Sequence, residues 1–260
     1  MKAIIIAAGS AKRLGEQTKE SPKGLLNING KSILERQIDI LLKNGIQEIV
    51  IIIGPHKEKF KFEQVRYIDD VEFEKHDVLL SLMAAKNEIK DDVITTYSDI
   101  LFDDKILQQI IKSNVDIGIA TDMDWEIKYE NRTEHPKSQA DNVVIEDNKV
   151  VRIQKNISKI LKNQKNGEFI GIMKLSKKGS EDFVREYNRI EKIKPSPFHD
   201  SLKFEKSYLT DMIQELLIQK ISVKPIIVDG NWCEIDTPQD LENAKNMFKC
   251  GADIVDVGGE

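Results

Sequence analysis

The residues of this chain best suited to chemistry are small, cationic or acidic, and they sit where apolar segments stop. Lys2-Ala-Ile-Ile-Ile-Ala7 is an apolar, β-branched run that breaks into Ala8-Gly9-Ser10-Ala11 and then Lys12-Arg13, with Pro22-Lys23 downstream. Residues with almost no side chain let a phosphate approach their backbone N–H groups, and Lys12, Arg13 and Lys23 supply positive charge, so the stretch reads as a buried strand ending in an anion-binding loop. It is neither the dinucleotide fingerprint nor a Walker loop, because G-x-G-x-x-G and G-K-[ST] are both absent. Two acids stand at comparable places: Asp99 follows the apolar run Val93–Tyr97, and Asp236 closes Trp232-Cys-Glu-Ile-Asp236. Ligands of open parallel sheets bind at the carboxyl ends of strands, which makes both carboxylates candidates.

Those residues need a sheet to hold them. Ser32 caps a helix over residues 33–43, whose Ile33, Leu34, Ile38, Leu41 and Leu42 form one apolar face, and Glu48–Ile53 is a continuous apolar strand. Strand, helix, strand in this order suggests a right-handed parallel crossover. Further strands are expected at 65–68, 93–97, 115–120, 167–175 and 221–228, with helices at 79–89, 104–114, 176–190 and 207–217. Asn142–Glu146 and Lys149–Ile153 alternate around Asp147-Asn148 as a hairpin that ends in Gln154-Lys155. Residues 122–136 are polar and are expected to form a loop over the site. Thr237-Pro238-Gln239-Asp240 starts a last helix, with Thr as N-cap and Pro at its first position. The fold expected is α/β, a Rossmann-like, mostly parallel mixed sheet flanked by helices, with a small lid or hairpin insertion. Residues 1–248 form one domain, and 249–260 a tail to which no function is assigned.

The chain resembles the nucleotidyltransferase superfamily, whose GT-A-like fold joins a nucleoside triphosphate to a phosphorylated small molecule. The landmarks are Ala7-Ala8-Gly9 with Arg13-Leu14, Pro22-Lys23, Ile51-Ile-Ile-Gly54, Ser81-Leu82, Asp99, Lys155, Gly167-Glu168-Phe169-Ile170-Gly171 and Glu234-Ile235-Asp236. Across residues 2–248 the set is similar to the phosphocholine cytidylyltransferases and to the phosphonate cytidylyltransferase domains associated with phosphoenolpyruvate mutase. The resemblance implies CTP, Mg²⁺ and a small acceptor carrying a phosphonate or phosphate. It assigns the nucleotide to Ala7, Ala8, Gly9, Ser10, Lys12, Arg13, Lys23, Gly54 and Ser81, with Arg13 on the β and γ phosphates and Lys23 on the α phosphate. It assigns the metal to Asp99 and Asp236. Lys155 would neutralise acceptor or α-phosphate charge, and Glu168, Tyr97 and Trp232 would meet the acceptor. Arg132-Thr-Glu-His135-Pro136 to Ala140-Asp141 looks more like the phosphonate branch, which suggests 2-hydroxyethyl- or 2-aminoethylphosphonate; phosphocholine and a sugar 1-phosphate are the alternatives. Two positions depart from the family pattern: Ser98 stands where Gly usually precedes the metal Asp, and His76-Asp77 displaces an Asn expected before Ser81. A non-catalytic nucleotide-binding regulator on this fold would be expected to lose Lys23, Asp99 or Asp236, and all three are retained.

The bulk properties agree. With 39 basic against 44 acidic residues and a net charge of −5, no basic face dominates, which argues against a nucleic-acid binder. Cys233 and Cys250 lie outside metal-ligand spacing and read as free thiols, and the scattered His56, His76, His135 and His199 suggest no zinc site. No apolar stretch approaches the roughly 18 residues needed to span a bilayer. A cytoplasmic enzyme is expected, with a homodimer left open.

Overall fold

The computed structural model describes residues 1–9, 14, 21–157 and 159–249. The core of the sheet is built from strands that are apolar on both faces: β1 (Lys2–Ala7) pairs in parallel with β4 (Glu48–Ile53) on one side and with β6 (Val93–Tyr97) on the other, and β4 carries β5 (Arg66–Asp69) at the edge. The sheet is covered by helices on both sides. Ile4 and Ile6 point to α2 (Val78–Ala84), α5 (Lys177–Ile193) and α6 (Leu209–Ile218), through Leu79, Leu82, Phe183 and Met212. Ala3, Ile5 and Ala7 point the other way, to α1 (Ile33–Lys43) and α3 (Asp104–Lys112), through Leu34, Leu41, Ile106 and Ile110. Each fully buried Ile or Leu in these layers stabilises the fold by about 1.5–3 kcal/mol.

The second half of the sheet is mixed. β11 (Lys165–Leu175) runs antiparallel to β9 (Asp141–Glu146), β8 (Ile117–Asp122) and β6, while β12 (Lys224–Val228) adds to β8 in parallel, and β10 (Lys149–Lys155) pairs with β9. Among the described residues the sheet thus has four parallel and four antiparallel ladders around one α/β layer. The hairpin extends two residues further than alternation alone suggested, which brings Asp141 and Lys155 into register as a pair. Gly171 takes φ +77 inside β11 at a register irregularity, and a Cβ there would sit 2.8 Å from the Tyr97 ring.

Two local readings change. The helix expected over 79–89 ends at Ala84 and continues as a 3₁₀ turn, Lys86–Glu88. The polar stretch 122–136 is not a plain loop: a short helix, α4 (Trp125–Lys128), folds Trp125 onto Tyr129 and Ala140 as a separate small core. Two small ribbons lie outside the main sheet, β2 (Asn27–Ile28) with β3 (Lys31–Ser32), and β7 (Ile100–Phe102) with β13 (Trp232–Glu234). Both pack under α7 (Pro238–Met247) through Ile28, Leu101, Ile235 and Leu241. No described helix is long and apolar enough to cross a membrane. Ser10, Lys12, Arg13, Cys250 and the remainder of the tail lie outside the described residues.

Candidate active site

Three charged residues from distant parts of the chain meet at the carboxyl end of the parallel strands. Tyr97 pairs with Ile6, and the Ser98 N–H donates to the Ile6 carbonyl at 3.1 Å, so Asp99 emerges beside the end of β1. The β7–β13 ribbon pairs Ile100 with Glu234, and the Ile235 N–H donates to the Asp99 carbonyl at 3.0 Å, which sets Asp236 next to Asp99. A capping box between Thr237 and Asp240 then turns the chain into α7 and fixes Asp236 just ahead of the helix. Lys23 arrives on a 3₁₀ turn, Lys23–Leu25, that opens after Pro22. Its Nζ donates to Asp99 Oδ2 at 2.8 Å and to Asp236 Oδ1. Burial pulls this ammonium down, but the two carboxylates outweigh it and hold Lys23 above its ordinary value, so it is a permanent cation.

The three residues lie in one cavity of about 380 Å³. Its lining includes Ala7, Ala8, Gly9, Phe73, His76 and Ser81, and also Tyr97, Asp141, Lys155, Glu168, Tyr208 and Trp232. Of the described residues assigned from sequence, only Gly54 is outside it. Gly54 acts from behind, because a Cβ there would lie 2.7 Å from the Ala8 carbonyl and force the β1 loop away. Ser81 faces the cavity but donates its hydroxyl to Asp70 Oδ2 at 2.7 Å, and the Trp232 indole N–H donates to Asp122 Oδ2 at 2.7 Å. Lys155 is half-exposed, 3.9 Å from Asp141 and 5.4 Å above the Tyr208 ring.

The lining around Asp141 and Glu168 is rich in acid. The Tyr129 hydroxyl donates to Glu168 Oε1 at 2.5 Å, while Glu168 Oε2 is buried and accepts no hydrogen bond among the described residues. Burial pushes the Glu168 carboxyl up to about 8, a rise that the Tyr129 hydrogen bond opposes and the neighbouring acids Glu234 and Asp141 support. Burial also lifts Asp141 to about 6, against the pull of Lys155. Carboxyls held out of water in this way are relieved by an incoming cation.

Several residues at the site had no role assigned from sequence. Glu234 lies two residues before Asp236 on an extended segment, the spacing that points side chains the same way. His135 sits 3.4 Å from Asp236 Oδ2 and 3.8 Å from Glu234 Oε2. Arg132 donates from Nε to Asp240 Oδ1 at 2.5 Å, and Gln239 Oε1 accepts from the Thr133 and Glu134 N–H groups, so residues 131–135 are tied to the start of α7. Of the scattered histidines, His135 therefore belongs to an acidic cluster: its ligand atom and those of Glu234 and Asp236 lie within 4.8 Å of one another. Asp99 Oδ1 is buried and accepts no hydrogen bond among the described residues. These hard oxygen donors fit a divalent cation of the Mg²⁺ type, in competition with the Lys23 ammonium.

Residues 3–129 match the MobA-like NTP transferase domain. The chain is 26% identical to CTP:phosphoglutamine cytidylyltransferase of Campylobacter jejuni over 253 residues, 93% of this chain and 98% of that protein. It is 32% identical to choline-phosphate cytidylyltransferase of Streptococcus pneumoniae over 117 residues, 44% of this chain and 51% of that one. In structure it is similar to CTP:phosphocholine cytidylyltransferase from Streptococcus pneumoniae, with a TM-score of 0.68 and 23% identity over 94% of this chain and 97% of that chain. Across another group of relatives, bifunctional proteins of Methanococcus species, the matched region spans 55% of the protein from Methanococcus vannielii.

Proposed function

From a chain whose residues 3–129 match the MobA-like NTP transferase domain, we propose a CTP-dependent cytidylyltransferase that transfers CMP to a small phosphonate, in first place 2-aminoethylphosphonate, and releases pyrophosphate. The observation that carries this reading is Lys23 held between Asp99 and Asp236 in the cavity that also receives the Ala7-Ala8-Gly9 loop. Cytidylyl transfer is named in the Campylobacter jejuni and Streptococcus pneumoniae relatives described above, and the choice of acceptor rests on the buried acids Glu168 and Asp141. Glu168 and Asp141 favour an acceptor with an ammonium group over 2-hydroxyethylphosphonate, whose hydroxyl end carries no positive charge.

The chemistry asks little of a base, since the attacking oxygen is already anionic. A phosphonate oxygen attacks the α phosphorus in line, the bond from that phosphorus to the α–β bridging oxygen breaks, and pyrophosphate leaves with the electron pair. The barrier is like-charge repulsion, so the residues that matter are cations and their holders. Lys23 offers a fixed charge and N–H donors at the α phosphate. Lys155, anchored over Tyr208, reaches the cavity from the acceptor side and neutralises the acceptor anion. Arg13 has the role on the β and γ phosphates that the family resemblance assigns. Mg²⁺ held by Asp99 and Asp236 would supply charge neutralisation and orientation of the phosphates.

A second reading, phosphocholine as acceptor, is favoured by the aromatic residues of the cavity wall, Tyr97, Tyr208 and Trp232, which suit a quaternary ammonium. Pyrophosphate release separates the two. With Mg²⁺ and each of CTP, UTP, GTP and ATP, the protein is offered 2-aminoethylphosphonate, 2-hydroxyethylphosphonate, phosphocholine and glucose 1-phosphate. Turnover with CTP and 2-aminoethylphosphonate above all others is expected. Turnover with phosphocholine alone keeps the mechanism and replaces the acceptor; silence with every pair removes the reading.

A further inference from the structure

The cavity lining also contains a polar relay to which the proposed reaction gives no role. Asp70 follows β5 and is buried; its Oδ1 accepts from the Glu72 N–H at 3.2 Å, and its Oδ2 contacts both the Ser81 hydroxyl and His76 Nε2 at 2.7 Å. With Asp70 as a carboxylate, which only accepts, the hydrogen of the His76–Asp70 contact belongs to Nε2. In the neutral ring, Nδ1 then carries the lone pair and is an acceptor. The His76 side chain is 9% exposed, lines the cavity, and forms no other hydrogen bond among the described residues. Phe73 lines the same cavity, and its ring and the Ala8 backbone both lie against Gly54.

We propose that His76, fixed by Asp70, reads the base of the nucleotide, and that its Nδ1 selects the exocyclic amino group of cytosine against the carbonyl oxygen that uracil presents at the same place. This rests on the cytidylyl-transfer reading and deepens it. Phe73, His76 and Ser81 line the cavity together with Ala7, Ala8 and Gly9, the β1 loop that the cytidylyl-transfer reading gives to the nucleotide. An amino group there donates to the lone pair, whereas a carbonyl oxygen meets it with another lone pair. A site that hydrogen-bonds its ligand discriminates far more strongly than one that only encloses it. Asp70 is a positioning residue, and Ser81 holds Asp70 in turn.

The test compares wild type with His76→Gln, whose amide can offer either an oxygen or an NH₂ group, and with Ser81→Ala. Calorimetric binding of CTP and of UTP without acceptor is measured beside kcat/KM for each nucleotide. For wild type, CTP is expected to bind more tightly than UTP. For His76→Gln, the CTP-to-UTP ratio is expected to fall about 10- to 100-fold, with CTP weakened and UTP improved. For Ser81→Ala, a fall in the same direction but smaller is expected. Equal losses for both nucleotides would make the relay structural and overturn the inference, and a wild type that binds UTP as well as CTP would do the same. Failure of the cytidylyl reading itself would appear as absence of turnover with every acceptor, and the binding ratio would still decide the role of His76.

Discussion

Lys23 neutralises two acids that would otherwise repel each other across the site, and this gives it two separable roles. In Lys23→Met, turnover is expected to fall at least 100-fold through loss of charge at the α phosphate. The same variant leaves Asp99 and Asp236 unpaired, so its melting temperature is expected to fall in chelator and to recover with Mn²⁺ by more than wild type gains. Equal responses to Mn²⁺ would contradict competition between the ammonium and a metal. Glu168 makes a second residue-scale prediction, through pH. Its carboxyl rises from an ordinary 4.5 to about 8, so the folded state holds the extra proton between those values. Its contribution to stability is therefore fully present below pH 4.5 and is lost as pH rises through 8. Urea unfolding of Glu168→Gln is expected to show a flatter profile over that range and a gain on the order of a few kcal/mol near pH 8.5. The same variant is expected to raise KM for 2-aminoethylphosphonate at least 10-fold while leaving KM for CTP near wild type. A stability profile identical to wild type would refute the buried-acid account.

At the scale of elements, the site depends on connections that sequence pattern does not show. The local devices were legible: the break of β1 into small residues, Ser32 at the head of α1, and Thr237-Pro238 at the head of α7 all act within a few residues. The β7–β13 ribbon was not, because it joins segments more than a hundred residues apart through a three-residue ladder too short to carry a period. Arg132 was equally hidden, since its partner Asp240 lies 108 residues away and only the fold brings them together. Arg132→Met leaves the buried Asp240 without its cation and is expected to cost about 3 kcal/mol, read as a melting shift of about 10 °C, with release of residues 131–135 from α7. Gly54→Ala tests a different connection. Its Cβ would press on the Ala8 carbonyl, so KM for CTP is expected to rise about 10-fold with kcat much less affected. An unchanged KM would mean that the β1 loop does not hold the nucleotide.

For the whole molecule, the parallel half supplies a rigid strand-end shelf and the antiparallel half, through β9, β10 and β11, supplies Asp141, Lys155 and Glu168 to the cavity wall. The three-layer arrangement and the placement of Asp99 and Asp236 at strand ends could be read from apolar runs and their stops. The acid cluster could not, because Glu168, Asp141, Glu234 and His135 come from four separate elements and only burial makes their charges matter. The most direct test of the central claim is the rate of pyrophosphate release from CTP and 2-aminoethylphosphonate by Asp99→Asn, with circular dichroism and melting temperature measured on the same preparation. A loss of at least 1,000-fold with the fold intact is the expected result, because the variant keeps the shape of the site and removes one of the two charges that define it. Turnover within a few-fold of wild type in the folded variant would contradict the assignment of Lys23, Asp99 and Asp236 as the centre of nucleotidyl transfer.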